Sequence, residues 1–259
     1  MIYVINLKRA TERRAHMEAQ LEALGLPYTF AEAVDGRSLD PEAVEGYDPR
    51  RRRRLMGSRL TVNQLACALS HIRLFRLIAS SSEPYHLVLE DDVIFEDRLR
   101  STLEQIPLIR RPWDHLRLGG LRKRRFVPRE TLPNGVHVGY YTGPVWGAEG
   151  YALTPAGARK LLAYRNLQLY IIDQAMERFW ENHLESLAVH PFQLRQAPEE
   201  RLPSMIGYDP AVEAERSRDQ HRSMRRRIRR TVDSVRRRWY NAWVRGIWWD
   251  PPRRIFRDR

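Results

Sequence analysis

The run Leu87-Val88-Leu89-Glu90-Asp91-Asp92-Val93-Ile94-Phe95-Glu96 constrains this chain more than any other ten residues, because an apolar segment passes directly into three carboxylates and then resumes. Leu-Val-Leu suits a buried strand of an α/β sheet, and the carboxylates then emerge at its carboxyl end, where such sheets bind ligands. Three adjacent like charges repel each other unless a cation sits among them. Side chains alternate along an extended chain, so Glu90 and Asp92 are expected on one side and Asp91 on the other. An acid-x-acid pair aimed at one point can hold a hard divalent metal, which in turn holds a diphosphate. The competing reading is a solvated strand end or a helix N-terminus, where acids are favoured.

The rest of the chain is read around that strand. Residues 2–7 form a first strand, and Thr11 is expected to cap a helix with Met17, Leu21 and Leu24 on its buried side, closed by Gly25. A second strand over 28–34 ends at Asp35-Gly36, so the chain opens β-α-β. Residues 37–59, with five arginines from Arg50 to Arg54, read as an irregular solvated loop or an anion-facing flap. From Leu60 to Ile78 the positions Leu65, Leu69, Ile72 and Phe75 mark a helix face with Thr61 as its cap. Gln64, Cys67 and His71 form an adjacent stripe, from which Ser70 and His71 can reach a ligand; a satisfied structural histidine is the plainer reading of His71.

Further strands are expected at 115–118, 145–154 and 186–189, the last ending at His190-Pro191, with helices at 99–106, from Pro155 to about Tyr164, and from Asp173. Met176, Phe179 and Trp180 mark the buried side of that last helix. For Asp173 a simple N-cap is the plain alternative to a chemical role. Segment 121–144, with Asn134-Gly135, reads as a mobile loop or hairpin beside a site.

The net charge of +13 is concentrated at the C-terminal end: sixteen arginines face four acids from Arg216 onward, which leaves about +1 on residues 1–215. We therefore expect a catalytic domain over 1–215 and an Arg/Trp-rich tail over 216–259. In the tail, Ile228, Val232, Val235, Trp239 and Trp243 recur at helical spacing among arginines, Trp248-Trp249 follow, and Pro251-Pro252 stop the pattern. A basic amphipathic helix with tryptophans suits an anionic membrane surface; a helix packed on the domain and a nucleic-acid contact are the alternatives, in that order. No apolar stretch is long enough to span a bilayer, and the opening residues read as a strand rather than a signal peptide. That leads to an expectation of a cytoplasmic protein, peripheral at the inner membrane. The single cysteine, Cys67, excludes an internal disulfide and a cysteine-rich zinc site.

Six segments in order resemble glycosyltransferase family 25, the group of lipooligosaccharide and procollagen galactosyltransferases, over roughly residues 1–207. They are Val4-Ile5-Asn6-Leu7-Lys8-Arg9 with Glu12-Arg13-Arg14, then Ala33-Val34-Asp35-Gly36, then Cys67-Ala68-Leu69-Ser70-His71. Leu89-Glu90-Asp91-Asp92 comes next, followed by Gly150-Tyr151-Ala152-Leu153-Thr154 and Ile172-Asp173-Gln174. The resemblance implies an α/β fold of the GT-A type: a mostly parallel, nucleotide-binding sheet flanked by helices. It also implies Mn2+ (or Mg2+) as cofactor, a nucleotide-sugar donor such as UDP-galactose, a saccharide or lipid-linked saccharide acceptor, and inversion at the sugar carbon. On this pattern Glu90, Asp92 and His190 hold the metal, and Asn6, Arg9, Arg13, Asp35, Ser70, His71 and Asp91 serve the donor. Asp173 is then the general base.

The chain departs from the pattern at Asn63-Gln64-Leu65-Ala66, where the family shows Gly-Glu-x-Gly. Gln64 keeps the shape of a glutamate without its charge. The departure motivates a second reading, a weak or inactive relative that binds nucleotide sugar or glycan, and the charge distribution a third, a basic nucleic-acid-binding protein.

Overall fold

The computed structural model describes residues 1–198, 201–202, 209–220 and 224–248. β1 (Ile2–Asn6), α1 (Thr11–Leu24) and β2 (Tyr28–Glu32) form the expected opening unit. Gly25 closes α1 in the left-handed region at φ +62°, donating to the carbonyls of Leu21 and Glu22. Thr11 is the first helical residue rather than the cap; the cap position falls on Ala10, and no side chain caps it.

Residues 37–59 are more ordered than expected. They contain α2 (Pro49–Met56), started by the Asp48 carboxylate accepting from the Arg51 backbone N–H at 2.8 Å, with Pro49 in the first turn, and ended by Gly57 at φ +91°. The whole arginine run is therefore helical, and Arg52 is buried and donates to the Ser58 carbonyl at 3.0 Å. In α3 (Val62–Ala79), Thr61 Oγ1 accepts from the Gln64 backbone N–H while Gln64 Oε1 accepts from the Thr61 N–H, both at 3.1 Å. This is a capping box.

β3 (His86–Glu90), β4 (Val93–Phe95), α4 (Leu99–Gln105) and β5 (His115–Arg117) follow, and segment 121–144 is the hairpin of β6 (Phe126–Thr131) and β7 (His137–Tyr141). β8 (Gly150–Leu153) starts later than expected, because Trp146 (φ +55°) and Gly147 (φ +82°) take the left-handed conformation and interrupt extended backbone. The remaining elements are α5 (Pro155–Ala163), α6 (Ile172–Met176), α7 (Phe179–Asn182), β9 (Ser186–His190), β10 (Leu194–Gln196), α8 (Pro210–Gln220) and α9 (Met224–Trp243).

The class is α/β, with an eight-stranded sheet in the order β2-β1-β3-β8-β5-β9-β7-β6. The expectation of a mostly parallel sheet needs correcting. β2-β1-β3 and β5-β9 are parallel, but β8 enters between β3 and β5 running against both, and the β6–β7 hairpin adds antiparallel pairings at the far edge. Alternation on the strands gives each face its own core. Leu87 and Leu89 pack with Met17, Leu21, Leu99 and Leu103 from α1 and α4, whereas Val88 packs with Ile72, Phe75 and Leu161 from α3 and α5. Each fully buried side chain of this kind contributes about 2 kcal/mol. The same alternation turns Glu90 toward α3, on the side of Val88.

The tail is docked on the body. α8 runs through the expected boundary at 215/216, and its Glu215 pairs with Arg59 at 3.1 Å. On α9, Asp233 pairs with Arg178 at 2.6 Å, and Asn241, which is buried, donates to the Thr142 carbonyl at 3.3 Å. The apolar stripe expected to define this helix points the other way: Ile228, Val232, Val235, Trp239 and Trp243 are 42–64% exposed. Trp249 and Pro251-Pro252 lie outside the described residues, and among the described residues no helix is long and apolar enough to cross a membrane.

Candidate active site

A pocket of about 130 Å3 opens at the carboxyl ends of β1 and β3, and Arg9, Arg13, Ser70, His71, Glu90, Asp91 and Asp92 all line it. The strand stops at Glu90, so the alternation expected through Asp92 does not hold: Asp91 and Asp92 both reach Arg13, at 2.6 and 3.3 Å. Asp91 also accepts from Asn6 Nδ2 at 2.7 Å. Asn6 and Arg13 are thereby committed to the acidic turn, and Asp91 is held by both. Asp92 keeps one buried oxygen, Oδ1, without a hydrogen-bond partner among the described residues.

At the rim, Arg9 pairs with Asp35 at 2.7 Å, which with the Arg37 backbone N–H draws the Asp35 carboxyl down to about 2. Ser70 Oγ accepts from the Val34 N–H at 2.9 Å and donates to the Ala66 carbonyl at 2.8 Å, tying α3 to the segment after β2. His71 is fully buried; Nδ1 meets the Tyr151 hydroxyl at 2.8 Å and Nε2 lies 3.4 Å from Glu90. Burial pushes the imidazole down to about 4, with Asp173 opposing, so the ring is neutral.

His190 is not brought to this cluster. β8 and β5 stand between β3 and β9, which sets it about 14 Å away at ordinary strand spacing. Its ring stacks on Phe126 and its Nδ1 meets the Tyr141 hydroxyl at 3.0 Å. Asp173 does reach the region, though not as a cap: Oδ2 accepts from the Gly147 N–H at 2.9 Å and Oδ1 from the Gln174 N–H at 2.6 Å.

Negative charge is in excess here. Burial first, then Asp92, Asp173 and Asp91, push the Glu90 carboxyl up to about 8. Glu149, directly before β8, is likewise pushed up to about 8 by burial and by Glu90, and neither of its carboxylate oxygens has a partner. Burial also raises Asp92, against the pull of Arg13. Unpaired buried oxygens and carboxyls forced to keep protons are what a divalent cation relieves, so the donor set of Glu90 and Asp92 fits Mn2+ or Mg2+. Cys67, His71 and Glu90 offer atoms within 4.8 Å of one another, a softer set on the same carboxylate. The sequence reading missed Glu149 and also Glu177, whose Oε1 accepts from the Val145 and Trp146 N–H groups and lies 3.3 Å from Arg117.

The sequence model of "Glycosyltransferase family 25 (LPS biosynthesis protein)" matches residues 1–176. The chain is 30% identical over 214 residues to the rat "Probable inactive glycosyltransferase 25 family member 3", covering 73% of this chain and 37% of that protein. It is 32% identical over 195 residues to an Anopheles gambiae "Glycosyltransferase 25 family member", covering 70% and 32%. With the Xenopus laevis "Procollagen galactosyltransferase 1-B" it shares 29% over 196 residues, covering 70% and 31%. The chain thus spans about a third of the length of these relatives. Among solved structures, a mutant Drosophila β-1,4-galactosyltransferase 7 complexed with manganese, UDP-Gal and xylobiose aligns with 86% of this chain and 81% of that one, at 12% identity and a TM-score of 0.41.

Proposed function

The chain belongs to glycosyltransferase family 25, and on that premise we propose that it moves a hexose, galactose before others, from a nucleoside-diphosphate sugar to a cell-envelope saccharide such as lipooligosaccharide, with inversion. The observation that carries this reading is the acidic turn after β3, where Asp92 Oδ1 is buried without a partner beside a Glu90 carboxyl raised to about 8. A divalent metal held by Glu90 and Asp92 would supply positive charge against the leaving diphosphate. In the transfer, the acceptor oxygen forms a bond to the anomeric carbon as the bond to the diphosphate oxygen breaks, and the hydroxyl proton passes to Asp173. The two backbone N–H groups on Asp173 fix its carboxylate in place. Arg13 and Asn6 hold Asp91, and with it the turn, in position.

The silent-binder reading rested on Gln64, and the capping box weakens it: an amide oxygen accepts the Thr61 N–H as a carboxylate would. The outward Trp239 and Trp243, flanked by arginines, support an anionic membrane surface as partner and a peripheral position at the inner membrane.

The test is turnover of a panel of radiolabelled sugar nucleotides with and without Mn2+. Metal-dependent hydrolysis or transfer that disappears in Glu90→Ala and Asp92→Ala is expected. Asp173→Asn should lose about 10²–10⁴ in kcat with donor binding retained. Absence of metal-dependent turnover with every donor refutes the enzyme.

A further inference from the structure

A second cavity, of about 650 Å3, lies between α9 and the body, within the size range of small-molecule sites. Asp173, the base of the reaction proposed above, borders it: its Oδ2 accepts from the Gly147 N–H, next to Trp146, at 2.9 Å and its Oδ1 from the Gln174 N–H at 2.6 Å. Gln174, Glu177 and Trp146 form part of the cavity wall.

Among the described residues, six arginines line this cavity, Arg117, Arg178, Arg229, Arg230, Arg237 and Arg245, against two acids, Glu177 and Asp233. Both acids are already used, Glu177 by Arg117 at 3.3 Å and Asp233 by Arg178 at 2.6 Å. Four guanidinium groups are left without a carboxylate at ion-pair distance among the described residues. Arg229 donates to the Tyr170 hydroxyl. Arg245 is 7% exposed, lies 3.5 Å over the Phe179 ring, and has a buried Nε without a partner. Arg237 also has an unpartnered buried Nε. Unpaired charges of one sign around one space are destabilising unless an anion enters it. Tyr141, Trp146, Tyr170 and Trp180 add aromatic surface to the same wall, suited to the apolar face of a sugar ring.

We propose that this cavity receives the acceptor, and that the acceptor is an anionic saccharide, with a phosphate or carboxylate close to the sugar being extended. The assignment rests on the transferase reading above. It makes the inward face of α9 a wall of the substrate site.

The test uses the full chain and three disaccharides of one skeleton: neutral, phosphorylated and carboxylated. Binding is followed by ligand-observed NMR without donor, and KM and kcat are measured with UDP-galactose and Mn2+. The charged compounds should bind at least about tenfold more tightly than the neutral one, with the better of the two identifying the anion. Arg237→Gln should raise KM for the charged acceptor about tenfold with little change in kcat, whereas Arg236→Gln, an exposed position on the same helix, should not. Equal binding of neutral and charged compounds overturns the inference, as does an equal effect of the two variants. A separate titration with UDP-galactose keeps the two claims apart. Normal donor binding with no anion preference refutes only the acceptor class, while loss of anion binding in Arg237→Gln without any donor binding upholds the anion site and refutes the transferase.

Discussion

Replacing Arg13 by methionine removes the guanidinium that faces both Asp91 and Asp92 while keeping most of the apolar stem. The group is buried, with side-chain exposure of 10% for Arg13 and 10–11% for the two carboxylates, and the contacts are 2.6 and 3.3 Å. Each contact is worth roughly 5–6 kcal/mol of gross attraction at an effective dielectric of about 20, most of it offset by desolvation. Removing one partner does not return that desolvation, so the expected loss is about 3–5 kcal/mol. For a chain of this size that is a fall in Tm on the order of 10 °C. Urea unfolding at pH 7 with an unchanged m-value measures it. The loss should also depend on pH. Arg13 opposes the burial that raises Asp92, so in the variant that carboxyl rises further, and the folded state keeps a proton the unfolded chain releases near about 3.9. Stability of the variant then declines relative to the parent as pH rises above about 4. The double variant Arg13→Met/Asp91→Asn should be less unstable than the sum of the singles by about 1–3 kcal/mol. A loss below about 1 kcal/mol that is the same at pH 5 and pH 8 would refute the buried clamp.

Glu149 is pushed up to about 8 in the folded chain, so it lends stability that is complete at low pH and is lost as pH rises from about 4 through 8; Glu149→Gln should flatten that slope in metal-free urea titrations, and an unchanged slope counts against the assignment. Gln64→Ala should cost about 1 kcal/mol by opening the capping box, while Gln64→Glu should stay within about 0.5 kcal/mol of the parent, both read by thermal unfolding. Trp239→Ser with Trp243→Ser should weaken binding to anionic vesicles at least about tenfold without moving the unfolding midpoint, because both rings are exposed. Vesicle binding that survives the pair of changes removes the membrane surface as partner of this helix.

How much of this was legible in the sequence depended on the range of the interaction. β3 and the place of its acids could be read because an apolar run ending in charge is a local pattern. α2 was also legible, through Asp48, Pro49 and Gly57, but the run of arginines between those signals outweighed them. The partnership of Arg13 with Asp91 joins residues 78 apart and leaves no local trace. His190 is the last residue of β9, and only the strand order, with β8 and β5 interposed, shows that it faces Phe126 instead of Glu90. Glu149 is a single acid between Ala148 and Gly150, and its burial beside Glu90 without a hydrogen-bond partner comes from the fold, not from its neighbours in sequence. For α9, periodicity shows that there is an apolar stripe; which way the stripe points is decided by what the opposite face finds to bind, here Arg178 and Thr142.

The orientation of α9 also sets a length. Its tryptophans look outward and its Arg237 looks into the cavity, so the two surfaces are separated by the thickness of one helix, about 10 Å. If the outer face rests on a bilayer, the helix becomes a spacer between the lipid headgroups and the place where a sugar is added. An anchored acceptor must then rise by about that height before its terminal hydroxyl can enter. Glycans too short to reach, and those whose growing end stands well above the surface, would be screened out by geometry, before any contact with the donor sugar.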